Sequence, residues 1–387
     1  MPLYHRLGDI PQKKHTVFKD QDGHFYWEEL FSTRGFSGIY SNLYHIHPPT
    51  RVKEVVELDH VPFEPWPEAP KQPFHFFTHK MPVGGNMLTA RNIFLHNSDV
   101  TLGTASFTEA DDRFYRNARA DEILFTHKGT GKLVSEYGHL EIKQGDYLII
   151  PRGVLYRLED LSKDNLFFII ESYSPIETPR RYRNEFGQLL EDAPFSERDI
   201  RRPAFQQAVD DVSDHKLIVK TDERYYSYTL DHNPLDVVGW DGYLYPWAFN
   251  IHDFQPIVGK IHLPPPIHQV FQSAGFVVCN FVPRLFDFHP QAIPAPYFHQ
   301  NVDSDEVLYY VDGDFMSRKG VESGSITLHP GDVPHGPQPG KIEASVGKKD
   351  CYEYAVMVDT FKPLKLTKLV QQTMDPHYVR SWLGQNG

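Results

Sequence analysis

Two short blocks recur in the same order in the two halves of this chain. Asp121-Glu122-Ile123-Leu124-Phe125, with Gly129 beyond it, has a counterpart in Asp305-Glu306-Val307-Leu308-Tyr309, with Gly313 beyond it. Downstream, residues 145–156 (GDYLIIPRGVLY) align without gaps on residues 324–335 (GSITLHPGDVPH). Chance seldom supplies two such blocks at nearly the same separation, so the chain reads as one structural unit used twice. The blocks are short and bounded by Gly, Pro or Asp, which is the pattern of strands joined by tight turns.

A length of 387 residues suffices for two or three domains, each with its own core. With 31 prolines, 26 glycines and 14% aromatics, and without long charged heptads, the chain favours many short strands over helices. A short strand or helix start is expected over residues 25–31, a turn followed by a strand over 35–45, and a series of strands over 74–107, broken by turns at Gly84-Gly85 and at Asn97-Ser98-Asp99. Helical signals are few: Ser196 caps a polar segment over 197–209, and the tail over 375–383 reads as an amphipathic helix. A stretch rich in charge and proline over 177–203 separates two strand-rich halves. The expected division is a first unit over 1–176, a connecting segment over 177–234 and a second unit over 235–387.

The net charge of −12 argues against a broad nucleic-acid surface, which needs clustered Lys and Arg. The two cysteines, Cys279 and Cys351, form no Cys-x-x-Cys pair, so a disulfide framework is not expected and a reducing compartment fits. The first residues show no secretory pattern, and no window approaches the roughly 20 apolar residues that span a bilayer. These features predict a cytoplasmic protein that binds a small molecule, with neither nucleic acid nor membrane as partner.

The two repeats differ in chemistry. In the second, His299, Glu306 and His335 supply two imidazoles and one carboxylate, the set that leaves open positions for substrate and oxygen on Fe(II). In the first, Glu122 is kept, but Tyr115 and Tyr156 stand where the histidines do, so that unit is expected to hold no metal. Any one of the 21 histidines is more often bland than a ligand; the ordered set of three carries the inference. Asp305 rivals Glu306, but strand alternation lets only one of them point inward, and the Glu-to-Gly spacing of the repeat favours Glu306. His45 and His47 lack a carboxylate at the same spacing and are read as packing or surface residues. His75 and His79, beside the aromatic run 74–77, are read as core or interface filling. His262 and His268 flank three prolines and are candidates for the rim of a pocket.

The repeated blocks resemble the two signature motifs of the cupin superfamily, although Gly331 directly follows Pro330 where the usual motif spaces them. That resemblance implies an all-β-dominated fold of two cupin (jelly-roll) β-barrels with few short helices, in which a His and a Glu near one strand edge and a His on a later strand converge on one interior point.

Longer segments resemble the homogentisate 1,2-dioxygenase family: Trp240-Asp241-Gly242-Tyr243 with Pro246 and Asn250, Pro283-Arg284, residues 296–301 (PYFHQN), Leu328-His329, Pro334-His335-Gly336-Pro337, residues 375–382, and residues 26–36 (YWEELFSTRGF). The resemblance covers most of the chain, densely from Asp236 onward. It implies an Fe(II)-dependent extradiol-type opening of homogentisate to maleylacetoacetate, as in tyrosine and phenylalanine catabolism, with dioxygen as co-substrate and a homo-oligomeric assembly, trimer or hexamer. It assigns the metal to His299, Glu306 and His335, and His329 to hydrogen bonding near substrate and oxygen. Tyr297 lies in the same block and is a candidate substrate contact. Arg284 is a candidate partner for the substrate carboxylate, since a guanidinium fork matches two oxygens, with a structural salt bridge as the equal alternative.

Two positions depart from the family pattern. Asp241 stands in place of a histidine proposed to take the phenolic proton; it is expected to act as the base if its pKa is raised, or else to bond a backbone amide. Phe315 stands in place of a substrate-contacting tyrosine. These departures keep open a related hydroxylated aromatic acid such as gentisate as the substrate. A cupin isomerase would need Lys and Arg near the metal, where the motifs instead carry Tyr, Phe, Pro and His. A non-catalytic bicupin would have no need of all three ligands together with His329.

Overall fold

A computed structural model describes residues 3–60, 63–81, 84–222 and 224–383. Strands dominate it and helices are few and short, as expected of an all-β-dominated fold. The longest strands are those with the densest β-branched and aromatic content, such as Asp121–Lys128, Leu166–Ser172, Asp305–Gly313 and Glu353–Thr360. In the first unit, a seven-stranded sheet and an eight-stranded sheet account for most strands, with a four-stranded sheet beside them. In the second, a six-stranded sheet runs Gln269–Gln272, Phe276–Phe281, Glu353–Thr360, Asp305–Gly313, Ile326–His329, Phe74–Phe76. Among the described strand pairs, all are antiparallel except His215–Lys220 on Phe114–Asn117.

The repeat is visible in the hydrogen bonding. Asp121 accepts the backbone N–H of Arg152 at 2.9 Å and of Ile176 at 3.0 Å. Asp305 accepts those of Gly331 at 2.6 Å and Leu364 at 2.7 Å. Each aspartate thus ties the start of its central strand to two loops, and this fixes Asp305 as a structural residue and turns Glu306 to the other face.

The two units share one core and complete each other's sheets. Phe168 stacks on Tyr309 at 4.5 Å, and one continuous cluster contains Phe94, Ile123, Tyr309 and Val356. The early strand Phe74–Phe76 pairs with Ile326–His329 of the second unit, and the late strand Lys365–Leu366 pairs with Leu95 and His96 of the first. No single cut in the chain separates the halves.

Residues 177–234 therefore do more than connect. Their strands His215–Lys220 and Tyr225–Leu230 pair between Phe114–Asn117 and Val52–Leu58 in the seven-stranded sheet, because HKLIVK and YYSYTL are themselves β-forming sequences. Residues 237–250 also belong to the first unit, through Val237–Gly242 and Trp247–Asn250. The helix expected over 197–209 is a single 3₁₀ turn, Glu197–Asp199, closed by a Ser196–Asp199 capping box. It stops because the strand Ile200–Arg201 pairs with Trp247–Asn250 and Pro203 cannot donate a helical hydrogen bond. The tail expected to be helical over 375–383 contains one 3₁₀ turn, Tyr378–Arg380, held by packing of Tyr378 and Trp382 rather than by helical periodicity. Among the described residues, no helix is long and apolar enough to cross a membrane.

Candidate metal centre

His299 and His335 are paired through their backbones, each N–H donating to the other's carbonyl at 2.9 Å. Each side chain is then oriented in the same way. Nδ1 of His299 lies 3.2 Å from the Tyr297 carbonyl, and Nδ1 of His335 lies 3.0 Å from the Val333 carbonyl. A carbonyl only accepts, so both Nδ1 atoms carry the proton and both Nε2 lone pairs are free.

Those lone pairs point at Glu306. Its Oε2 lies 3.7 Å from Nε2 of His299 and 3.6 Å from Nε2 of His335, too far for hydrogen bonds. The three ligand atoms all lie within 4.8 Å of one another. Nε2 of His335 is buried without a hydrogen-bond partner among the described residues. A buried polar atom without a partner is costly unless something else satisfies it, and two neutral imidazoles with one carboxylate oxygen are a donor set that fits a divalent ion such as Fe(II).

Behind the carboxylate lies a fully buried support. Nδ1 of His329 donates to Glu306 Oε1 at 2.8 Å, and its Nε2 accepts from the Tyr378 hydroxyl at 3.0 Å, with Arg318 at 3.4 Å. His329 and His335 stack at 4.7 Å. Burial and the Arg318 charge push His329 down to about 3, so it is neutral. Burial pushes the Glu306 carboxyl upward, but its contacts with His299, His329 and His335 outweigh that and hold it well below the usual carboxylate range. Across the strand pair from Glu306 stands Asp359, pushed up to about 8 by burial and by the Glu306 charge.

The open side of the triad is aromatic. His299 is the most exposed ligand, with 27% of its side chain accessible. The exposed ring of Tyr297 lies 6.1 Å from the His299 ring and 5.2 Å from that of His262, and Phe298 is also exposed. His262 Nδ1 is 3.4 Å from Asp287.

Three of the sequence candidates lie as follows. Asp241 lies on Val237–Gly242 in the four-stranded sheet, where Oδ2 accepts the Tyr4 hydroxyl at 2.8 Å, and the structure does not bring it to the triad. Arg284 is held by Glu353 at 3.1 Å and by the Val282 carbonyl at 3.0 Å, which is the salt-bridge alternative. Phe315 packs on Tyr310 at 4.6 Å in a small core cluster. Sequence reasoning missed Arg318, Tyr378 and Asp359. The tail carried the one available signal, since Tyr378 lies in a family-like segment; Asp359 and Arg318 have no motif around them.

Of the other histidines, His45 is bonded to Asp236 and Glu29 and His75 to Ser325, in keeping with structural roles.

A family model for the homogentisate 1,2-dioxygenase N-terminal region matches residues 44–251, more than half of the chain. A protein of Saccharolobus solfataricus bearing the name "Putative dioxygenase" is 43% identical over 99% of both chains. The homogentisate 1,2-dioxygenase of Bradyrhizobium diazoefficiens is 28% identical over 77% of this chain and 63% of its own. Among solved structures, a cupin 2 conserved barrel domain protein from Leptotrichia buccalis is similar at a TM-score of 0.37 and 11% identity, covering 76% of this chain and 99% of its own.

Proposed function

This chain belongs to the homogentisate 1,2-dioxygenase family, and on that footing we propose that it is an Fe(II)-dependent ring-cleaving dioxygenase that opens homogentisate to maleylacetoacetate. The observation that carries the reading is the convergence of His299, Glu306 and His335, with a buried His335 Nε2 that has no hydrogen-bond partner among the described residues. Fe(II) held there supplies the electron chemistry that lets dioxygen react with a closed-shell ring and favours the ionised phenol.

The chain supplies the rest. His329 fixes Glu306 in one orientation, and Tyr378 and Arg318 fix His329. Tyr297 and Phe298 form an aromatic wall beside His299, suited to a flat ring. His262, 3.4 Å from Asp287 and beside the Tyr297 ring, is the imidazole we assign to taking the phenolic proton in place of Asp241.

A second reading is the same chemistry on a related hydroxylated aromatic acid such as gentisate. It is favoured by Phe315, which lacks the hydroxyl of the family's substrate-contacting tyrosine and packs on Tyr310. The test is anaerobic purification with Fe(II) followed by oxygen uptake on homogentisate, gentisate and other dihydroxy aromatic acids. Stoichiometric oxygen uptake with homogentisate supports the first reading. Uptake with gentisate alone transfers the proposal to that acid, and no uptake with any of them overturns both.

A further inference from the structure

A row of polar side chains crosses the four-stranded sheet, away from the triad. Arg6, Asp241 and Asn42 stand directly opposite one another on three neighbouring strands, so their side chains leave the same face. Two residues along, that face carries Tyr4, Tyr243 and Tyr40, and on the other side of Asn42 it carries Tyr44. Ser41 and Leu43 turn the opposite way, Ser41 to the Leu244 carbonyl and Leu43 into the core. Residues 10–14 border this face and with it line an open cleft of about 370 Å³, in the range of small-molecule sites.

The polar groups lining it are short of partners. Asn42 is only 4% exposed, yet its amide makes no hydrogen bond among the described residues. Tyr44 is 2% exposed, and its hydroxyl is equally unpartnered among them. Arg6 makes no hydrogen bond or ion pair among the described residues, and Asp241 uses only Oδ2, for Tyr4. Lys14, bonded to the Tyr40 hydroxyl, brings a second cation to the rim. These polar atoms are open to the cavity, where a ligand can bond them.

We propose that this cavity binds a free α-amino acid with an aromatic side chain. The carboxylate of Asp241 takes the ammonium, Arg6 and Lys14 take the carboxylate, and Asn42 bonds the backbone-like polar end. The tyrosines enclose the ring. A ligand with only one charge leaves either Asp241 or Arg6 unmatched, so the mixed row selects a zwitterion.

The test is calorimetric titration of the intact protein with L-phenylalanine, L-tyrosine and L-tryptophan in turn. Saturable binding of at least one of them is expected, weakened about 10-fold or more by Arg6→Ala and by Asn42→Leu. Tyramine, which lacks the carboxylate, and 4-hydroxyphenylpropionate, which lacks the ammonium, are expected to bind about 10-fold or more weakly than the amino acid. Binding is expected to persist in His299→Ala, which separates this site from the metal centre. Absence of saturation by all three amino acids overturns the proposal. So does equal binding of the two analogues, binding undiminished in both cavity variants, or binding lost in His299→Ala and kept in Arg6→Ala.

Discussion

Glu122 and Glu306 occupy the same place in the two units and are satisfied in opposite ways. Glu306 faces two free imidazole lone pairs, whereas Glu122 accepts the Arg91 guanidinium at 2.7 Å and the Tyr156 hydroxyl at 2.7 Å. Arg91 also reaches Glu171, which Lys220 holds through both oxygens at 2.6 Å, and it lies over the Tyr115 ring at 4.6 Å. A fixed cation on a side chain stands where the proposed centre of the second unit would hold an exchangeable one. Two buried cations and two buried carboxylates balance, and no metal is needed there.

Removing Arg91 leaves Glu122 without its cation and Glu171 with only Lys220. Breaking a buried ion pair by deleting one partner costs about 3–5 kcal/mol. R91M is therefore expected to lower unfolding stability by about that amount in urea titration, while iron bound per chain stays as in the wild type. A variant as stable as the wild type would show that the network contributes no net stability.

The triad predicts a clean separation of metal from fold. H299A and H335A are each expected to lose bound iron by metal analysis and to keep the wild-type circular dichroism, because neither side chain anchors a strand. Full iron content in both variants would remove the site.

In the proposed centre His329 would act on the metal through Glu306, as a positioning residue. H329L is expected to weaken iron affinity about 10- to 100-fold, the usual cost of removing a hydrogen-bond partner behind a ligand. H329Q, which keeps an N–H donor, is expected to recover part of that loss. A purely structural His329 would move the melting temperature in both variants and leave the affinity of the folded protein unchanged.

Much of the centre was legible because the repeat compares two versions of one unit within a single sequence. Glu306 keeps its partner Glu122 while both histidines are replaced by tyrosines, so the ligands stand out by difference. The exchanged strands were illegible for a physical reason. Phe74–Phe76 and Lys365–Leu366 are three and two residues long, too short for any periodicity, and their pairing is decided by the shape of the shared core. The place of Asp241, and the choice between the two readings of Arg284, were illegible for another reason. A family-like segment tells what residue stands at a position, but sheet pairing decides which face and which unit it serves. Arg318 is the converse: no motif marks it, yet folding packs it behind His329.

The four-stranded sheet carries the molecule's clearest pH dependence. Burial pushes His45 downward, but its hydrogen bonds to Asp236 at 2.8 Å and Glu29 at 3.1 Å outweigh that and raise it to about 10. His45 joins the adjacent strands Trp27–Ser32 and Tyr40–His45 to the loop before Val237–Gly242. A histidine raised in the folded state contributes stability that is fully present below its unfolded pKa of about 6.5 and is lost as the pH rises through the folded value. Melting temperature is therefore expected to fall between about pH 7 and pH 10. In H45Q, which keeps a hydrogen-bonding side chain but cannot titrate, the starting stability is lower and the fall over that window is smaller. If H45Q and the wild type lose the same number of degrees across the window, the dependence belongs to other groups and His45 is not protonated in the folded protein.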